Sequence, residues 1–170
     1  MNGNSANEII DILRLKPLEI EGGLYRETYR SEEKLDCHAG LPSSADSKNL
    51  STAIYYMLTP DTFSAIHRLP TDEIFHFYLG DPVQILQLRP DNTSEIITLG
   101  NDVFNDQHVQ VIVQKGIWQG MFLKEGGSYA LMGTTMSPGF EYSEYEAGIS
   151  GELINLYPDK EALIRKLTKE

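Results

Sequence analysis

The sequence predicts an all-β sandwich or barrel with a short helix at each end. Three observations carry this: nine short segments of aromatic and β-branched residues that mostly alternate, turn chemistry between them, and helical apolar spacing confined to the two ends. The helical crossovers of a parallel α/β sheet have no counterpart between the strands.

At the start, Ser5 followed three residues later by Glu8 fits a capping box, and Ile9, Ile10 and Leu13 recur at helical spacing until Pro17. The strands expected next are LYRETYR from residue 24, STAIYYML from 51, EIFHFYL from 73, PVQILQLR from 82, SEIITL from 94, VQVIV from 109, IWQGMFL from 117, SYALMG from 128 and GELINLY from 151. TPD, LGDP, RPDNTS, LGND, QKG, KEGG and MSPG supply the turns. Residues 31–49, rich in Ser, Asp and Gly, read as a long exposed polar loop, either a lid over the barrel mouth or a mobile segment. At the other end Pro158 suits a first helical position, Asp159 the helix N-terminus, and Leu163, Ile164 and Leu167 an apolar stripe.

A chain of 170 residues suits one domain, 1–170, with one sizeable core. The net charge of −11 argues against nucleic acid or an anionic membrane as partner. Cys37 is a single cysteine, so no internal disulfide forms. The N-terminus lacks a basic n-region and carries Glu8 and Asp11 in its apolar stretch, unlike a signal peptide, and no run approaches ~20 apolar residues. A cytoplasmic protein is expected.

Chemistry concentrates in FSAIHRLPTDEIFHFYLG, residues 63–80. His67 and Glu73, across a Pro-containing turn, are a metal-ligand pair, an acid/base pair whose pKa values burial would shift, or an internal hydrogen-bonded pair. Alternation puts Phe63, Ala65 and His67 on one strand face, Glu73, Phe75 and Phe77 on one face of the next, and Ile117, Gln119 and Met121 on one face of a third. His76 then lies opposite Glu73, and the three polar residues do not act as one cluster.

The spacing of His67, Glu73 and Gly80 resembles the first motif of the cupin superfamily, and QKGIWQGM, residues 114–121, resembles the second. Leu69 stands where the motif has its second His, Asp61 where it has its opening Gly, Gln114 where it has Pro, and Gln119 where it has the last His. EGGLYRETYRS, STAIYYML, DEIFHFYLG, GIWQG and SPGFEYSEYE further resemble the cupin-5 subgroup among RmlC-like cupins, over about residues 12–165. The resemblance implies a cupin double-stranded β-helix (jelly-roll barrel), a homodimer, and a small-molecule pocket inside the barrel. It implies no particular reaction.

Two of the four usual cupin metal ligands are replaced, leaving His67, Glu73 and Gln119 as the candidate set for a divalent metal; an amide is a weaker transition-metal donor than imidazole. By similarity to RmlC-type epimerases, Tyr142 is a candidate acid opposite His67, although Glu73 stands where those enzymes use Lys. Arg26 is a candidate for an anionic substrate group, and Gln119, Phe75 and Phe77 for ligand contacts. His76, Tyr78 and Tyr56 read as outward residues, and Cys37 with His38 as loop neighbours. The leading function is isomerase or epimerase chemistry on a sugar-like or other polar carbonyl compound, with His67 as base. The alternatives are a non-catalytic binding or sensing cupin and a metal-dependent oxygenase.

Overall fold

A computed structural model of the chain describes residues 5–36 and 47–169. Helix α1 (Ala6–Leu13) begins with the expected capping box: Glu8 N–H donates to Ser5 Oγ at 3.3 Å, and Ser5 N–H donates to Glu8 Oε2 at 2.7 Å. It ends before Pro17 because Arg14 turns the chain at φ 54°. Ser5→Ala removes one orphan-donor partner and is expected to cost about 1 kcal/mol, a fall of about 2–4 °C in Tm by calorimetry.

The strands are β1 (Lys16–Pro17), β2 (Leu24–Arg30), β3 (Lys34–Asp36), β4 (Ser47–Asn49), β5 (Thr52–Leu58), β6 (Phe63–Arg68), β7 (Glu73–Gly80), β8 (Val83–Leu88), β9 (Ser94–Leu99), β10 (Gln110–Val113), β11 (Trp118–Leu123), β12 (Ala130–Met136) and β13 (Glu146–Ala147). They form a sheet of order β1-β2-β5-β12-β7-β10 and a second of order β13-β6-β11-β8-β9, face to face as a jelly roll without closing into one hydrogen-bonded ring. The apolar face of each sheet turns inward, so Phe75, Ile85, Val111, Met121 and Met132 make one interior cluster. Alternate residues Leu86 and Leu88 point out from β8 instead.

That outer face is covered by helices, and here one expectation fails. GELINLY is not a strand but lies in α2 (Ser150–Leu156) and the residue after it, followed by α3 (Glu161–Leu167). Leu153 and Tyr157, four apart, fall on one helical face and pack with Ile164 and Leu167 over Ile66, Leu86 and Leu88. Burial of that stripe outweighs the strand preference of Ile154 and Tyr157. On the other sheet α1 packs Ile9 against Leu15, Met57 and Leu131. Among the described residues no helix is long and apolar enough to cross a membrane.

Two further expectations are corrected. In β6 the register shifts: Gln119 pairs with His67, but Met121 pairs with Ser64, so three steps on β6 face two on β11. The bulge turns Phe63 outward to the helix-covered cluster while His67 stays buried, so the two do not share a face. Tyr56 points inward, 1% exposed, with its hydroxyl donating to the Gly22 carbonyl at 2.9 Å.

The flanks of the 31–49 segment pair as a two-stranded sheet, β3 with β4. Lys48, expected in an exposed loop, is 1% exposed because its ammonium meets the Glu144 carboxylate at 2.5 Å. Cys37 and His38 lie outside the described residues.

Candidate functional site

His67 sits just past the β6 bulge, and its Nδ1–H donates to the Ala65 carbonyl at 2.8 Å. Nε2 is thereby directed to two carboxylates: Oε2 of Glu73, at the start of β7, and Oε2 of Glu21, in the turn before β2, each at 4.0 Å. Gln119 on β11 donates from Nε2 to Glu73 at 2.5 Å, and Ser64 donates to Glu21 at 2.5 Å. The chain thus brings together His67, Glu73 and Gln119, as alternation predicts, and adds a second carboxylate.

Glu21 is the candidate site residue the sequence reading missed. Its turn is held by two glycines: Gly22 has φ 106°, and a Cβ there would lie 2.3 Å from the Phe63 carbonyl oxygen, while Gly23 has φ 67° and a Cβ would lie 2.7 Å from the Tyr56 hydroxyl. Ala65 N–H donates to the Glu21 carbonyl at 2.9 Å, which ties the turn to β6. An acidic residue followed by Gly-Gly at a strand entrance was the available signal.

Burial opposes charge on His67, but the Glu21 and Glu73 carboxylates outweigh it and raise its pKa to about 9. A 3.4 Å contact between Gln119 Nε2 and His67 Nε2 suits a neutral imidazole instead. The charges win: each carboxylate at this range supplies about 4 kcal/mol at an effective dielectric of 20, against about 1 kcal/mol for a neutral hydrogen bond. Burial, reinforced by Glu73, holds Glu21 above the ordinary carboxylate value, opposed by His67 and Ser64.

Tyr145, beside β13, stacks on the His67 ring, with centroids 4.9 Å apart and planes at 21°. Burial and then the two carboxylates push its phenol up, so it stays protonated, and its buried hydroxyl has no partner among the described residues. On β8, Gln87 is directly opposite Gln119; Gln87 Nε2 and Gln119 Oε1 are both buried without partners among the described residues, a complementary donor and acceptor suited to a bridging water.

In front of this cluster lies a cavity of about 50 Å³, whose lining includes Glu21, Glu73, Leu69 and Thr134, with Tyr25 and Tyr142 among its aromatic residues. Tyr142, half exposed, shares a 2.8 Å hydrogen bond with the Tyr25 hydroxyl, which together with burial pushes its pKa up to about 12. His67, 1% exposed, lies behind the carboxylates and is absent from the lining. Phe75 is in the interior core with Phe77 packed against it. Arg26 is on the opposite face of β2 from the lining residues Tyr25 and Glu27, with its guanidinium 5.2 Å from the Tyr55 ring centroid. His76 faces away from Glu73, contacting Gln110 at 3.2 Å and Thr135 at 3.3 Å.

These residues do not fit the usual cupin metal. Buried Leu69 puts hydrocarbon at the second His position, and Gln119 turns its NH₂, not its oxygen, to Glu73. Among the described residues no group of three His, Cys, Asp or Glu side chains is arranged to hold a metal ion.

Comparison with known proteins places this site in a family. Residues 7–148 match the family described as Cupin superfamily (DUF985). The chain belongs to that family. An uncharacterised protein of Saccharomyces cerevisiae is 26% identical over 133 residues, which are 74% of this chain and 66% of the yeast protein. A solved hypothetical protein from Leishmania major is 30% identical, with 98% of this chain and 100% of that one covered and a TM-score of 0.87. A Shewanella oneidensis protein of known structure is also 30% identical, with 98% and 99% covered and a TM-score of 0.85. None of these descriptions assigns a reaction to this cupin.

Proposed function

We propose that this cupin is an acid/base enzyme that isomerises or epimerises a small polar carbonyl compound by proton transfer. The observation that carries the reading is the pair of carboxylates, Glu21 and Glu73, at the cavity wall with one imidazole buried between them. A carboxyl group held above its ordinary pKa is suited to take and return a proton near neutral pH.

In this reading Glu21 accepts the proton from the carbon next to the carbonyl. The C–H electron pair becomes the enolate double bond, and the charge moves to the carbonyl oxygen. Glu21, now a carboxylic acid, returns the proton to the former carbonyl carbon while the neighbouring hydroxyl gives its proton to the enolate oxygen and becomes the new carbonyl, or, after rotation of the intermediate, returns it to the other face of the same carbon. Tyr142 at the mouth is the phenol placed to donate to the carbonyl oxygen. His67 keeps the two carboxylates from repelling one another, and Gln119 fixes Glu73. The base role expected for His67 passes to Glu21 because His67 does not reach the cavity.

The test is deuterium wash-in from D₂O, followed by proton NMR, over a panel of small ketoses, aldoses, keto acids and amino ketones. Wild type is expected to exchange the carbon-bound proton of at least one compound. Glu21→Gln should slow that exchange about 10²–10⁴-fold, with Glu73→Gln also impaired. Absence of exchange across the panel, or unaltered exchange in Glu21→Gln, contradicts the proposal.

A further inference from the structure

We infer that the compound held in this cavity carries a positive charge, an ammonium group set against Glu21 and Glu73. The inference rests on the cavity being the substrate site and adds the substrate's class. Two independent features of the lining point to it.

The first is charge. The cavity presents three carboxylates, from Glu21, Glu73 and Glu27, and among the described residues no lysine, arginine or histidine lines it. Arg26, adjacent to Glu27 in the chain, turns to the Tyr55 ring instead, and Arg30 is engaged by Glu27, Glu141 and Asn49. Lys48 is buried against Glu144. Even with His67 protonated, Glu21 and Glu73 as carboxylates leave one negative charge uncompensated in an apolar interior. An incoming cation satisfies it, and an anion would meet like charge at several kcal/mol.

The second is the aromatic wall. Tyr25, Tyr142 and Phe140 line the cavity, with Phe140 and Tyr142 edge to face at 5.2 Å. Ring faces beside carboxylates are the surroundings in which alkylammonium groups are held. Lys16, an exposed residue outside the lining, already sets its ammonium 5.3 Å from the Tyr25 centroid. A cavity of about 50 Å³ leaves room for a compact molecule of roughly seven to ten heavy atoms once the radius of water is added back.

The experiment is isothermal titration calorimetry of the full chain with choline and with 3,3-dimethylbutan-1-ol, its uncharged counterpart of the same shape, and with acetate. Choline is expected to bind at least tenfold more tightly than the alcohol, with no binding of acetate. Glu21→Gln should weaken choline at least tenfold. Tyr142→Ala, at a half-exposed position that threatens the fold less, should weaken it severalfold while circular dichroism stays unchanged. Equal or tighter binding of the alcohol, binding of acetate, or choline affinity unaltered in both variants would overturn the inference. So would failure of choline to bind at all. None of these results bears on deuterium wash-in, which tests the proton-transfer reading separately.

Discussion

Glu144→Ala is expected to lower the stability of the fold by about 3–5 kcal/mol, and Tm by about 6–20 °C. Its carboxylate and the Lys48 ammonium meet at 2.5 Å with side chains 4% and 1% exposed. Truncating the acid leaves a fully buried ammonium with no compensating charge, which costs far more than loss of a surface pair. The effect is expected to extend to the site, because the pair ties β4 to the turn before Tyr145, the residue stacked on His67. Replacing both partners in Lys48→Met/Glu144→Leu removes the stranded charge and should recover most of the loss. Chemical denaturation of the single and double variants checks this. A single-variant loss below about 1 kcal/mol would mean that water reaches the pair.

The second large effect is on the pH dependence of stability. His67 has a folded pKa of about 9 against 6.5 in the unfolded chain, so the folded state binds its proton more tightly. The resulting stabilisation is fully present below about pH 6.5 and is lost as pH rises through about 9, and amounts to about 3 kcal/mol. Glu21 acts in the same direction: its folded pKa is raised, so its contribution also declines as pH rises through that value. His67→Gln removes the positive charge between two carboxylates. That variant is expected to be less stable than wild type by about 3 kcal/mol at pH 6.5, with the gap closing toward about pH 9.5. Urea unfolding at the two pH values measures it, and a gap independent of pH would contradict the assignment.

What was legible in the sequence was local or periodic. The Ser5–Glu8 box lies within one helical turn, and the strands follow from alternation and from turns rich in Gly, Pro and Asp. His67, Glu73 and Gln119 could be assigned inward positions for the same reason. The misses come from effects that need the third dimension. GELINLY carries the strand formers Ile154 and Tyr157, yet folds into α2 because Leu153 and Tyr157 find an apolar sheet face to cover. The β6 bulge breaks the period of two, so Phe63 and His67 part company although alternation joins them. Lys48 lies in a segment whose polar composition signals exposure, and its burial depends on Glu144, distant in sequence. Glu21 is distant from His67 in the chain and reaches it through a turn that Gly22 and Gly23 permit. Without it His67 and Glu73 read as an ordinary acid/base pair. With it the imidazole becomes the counter-ion of two carboxylates.

That arrangement is the centre of the account, and the imidazole itself reports on it. The direct measurement is an NMR titration of the His67 ring in the intact protein, with the resonance assigned by its absence from His67→Gln. The account predicts a midpoint near pH 9. A midpoint at or below the ordinary histidine value of about 6.5 would show a neutral imidazole between Glu21 and Glu73, and would contradict it.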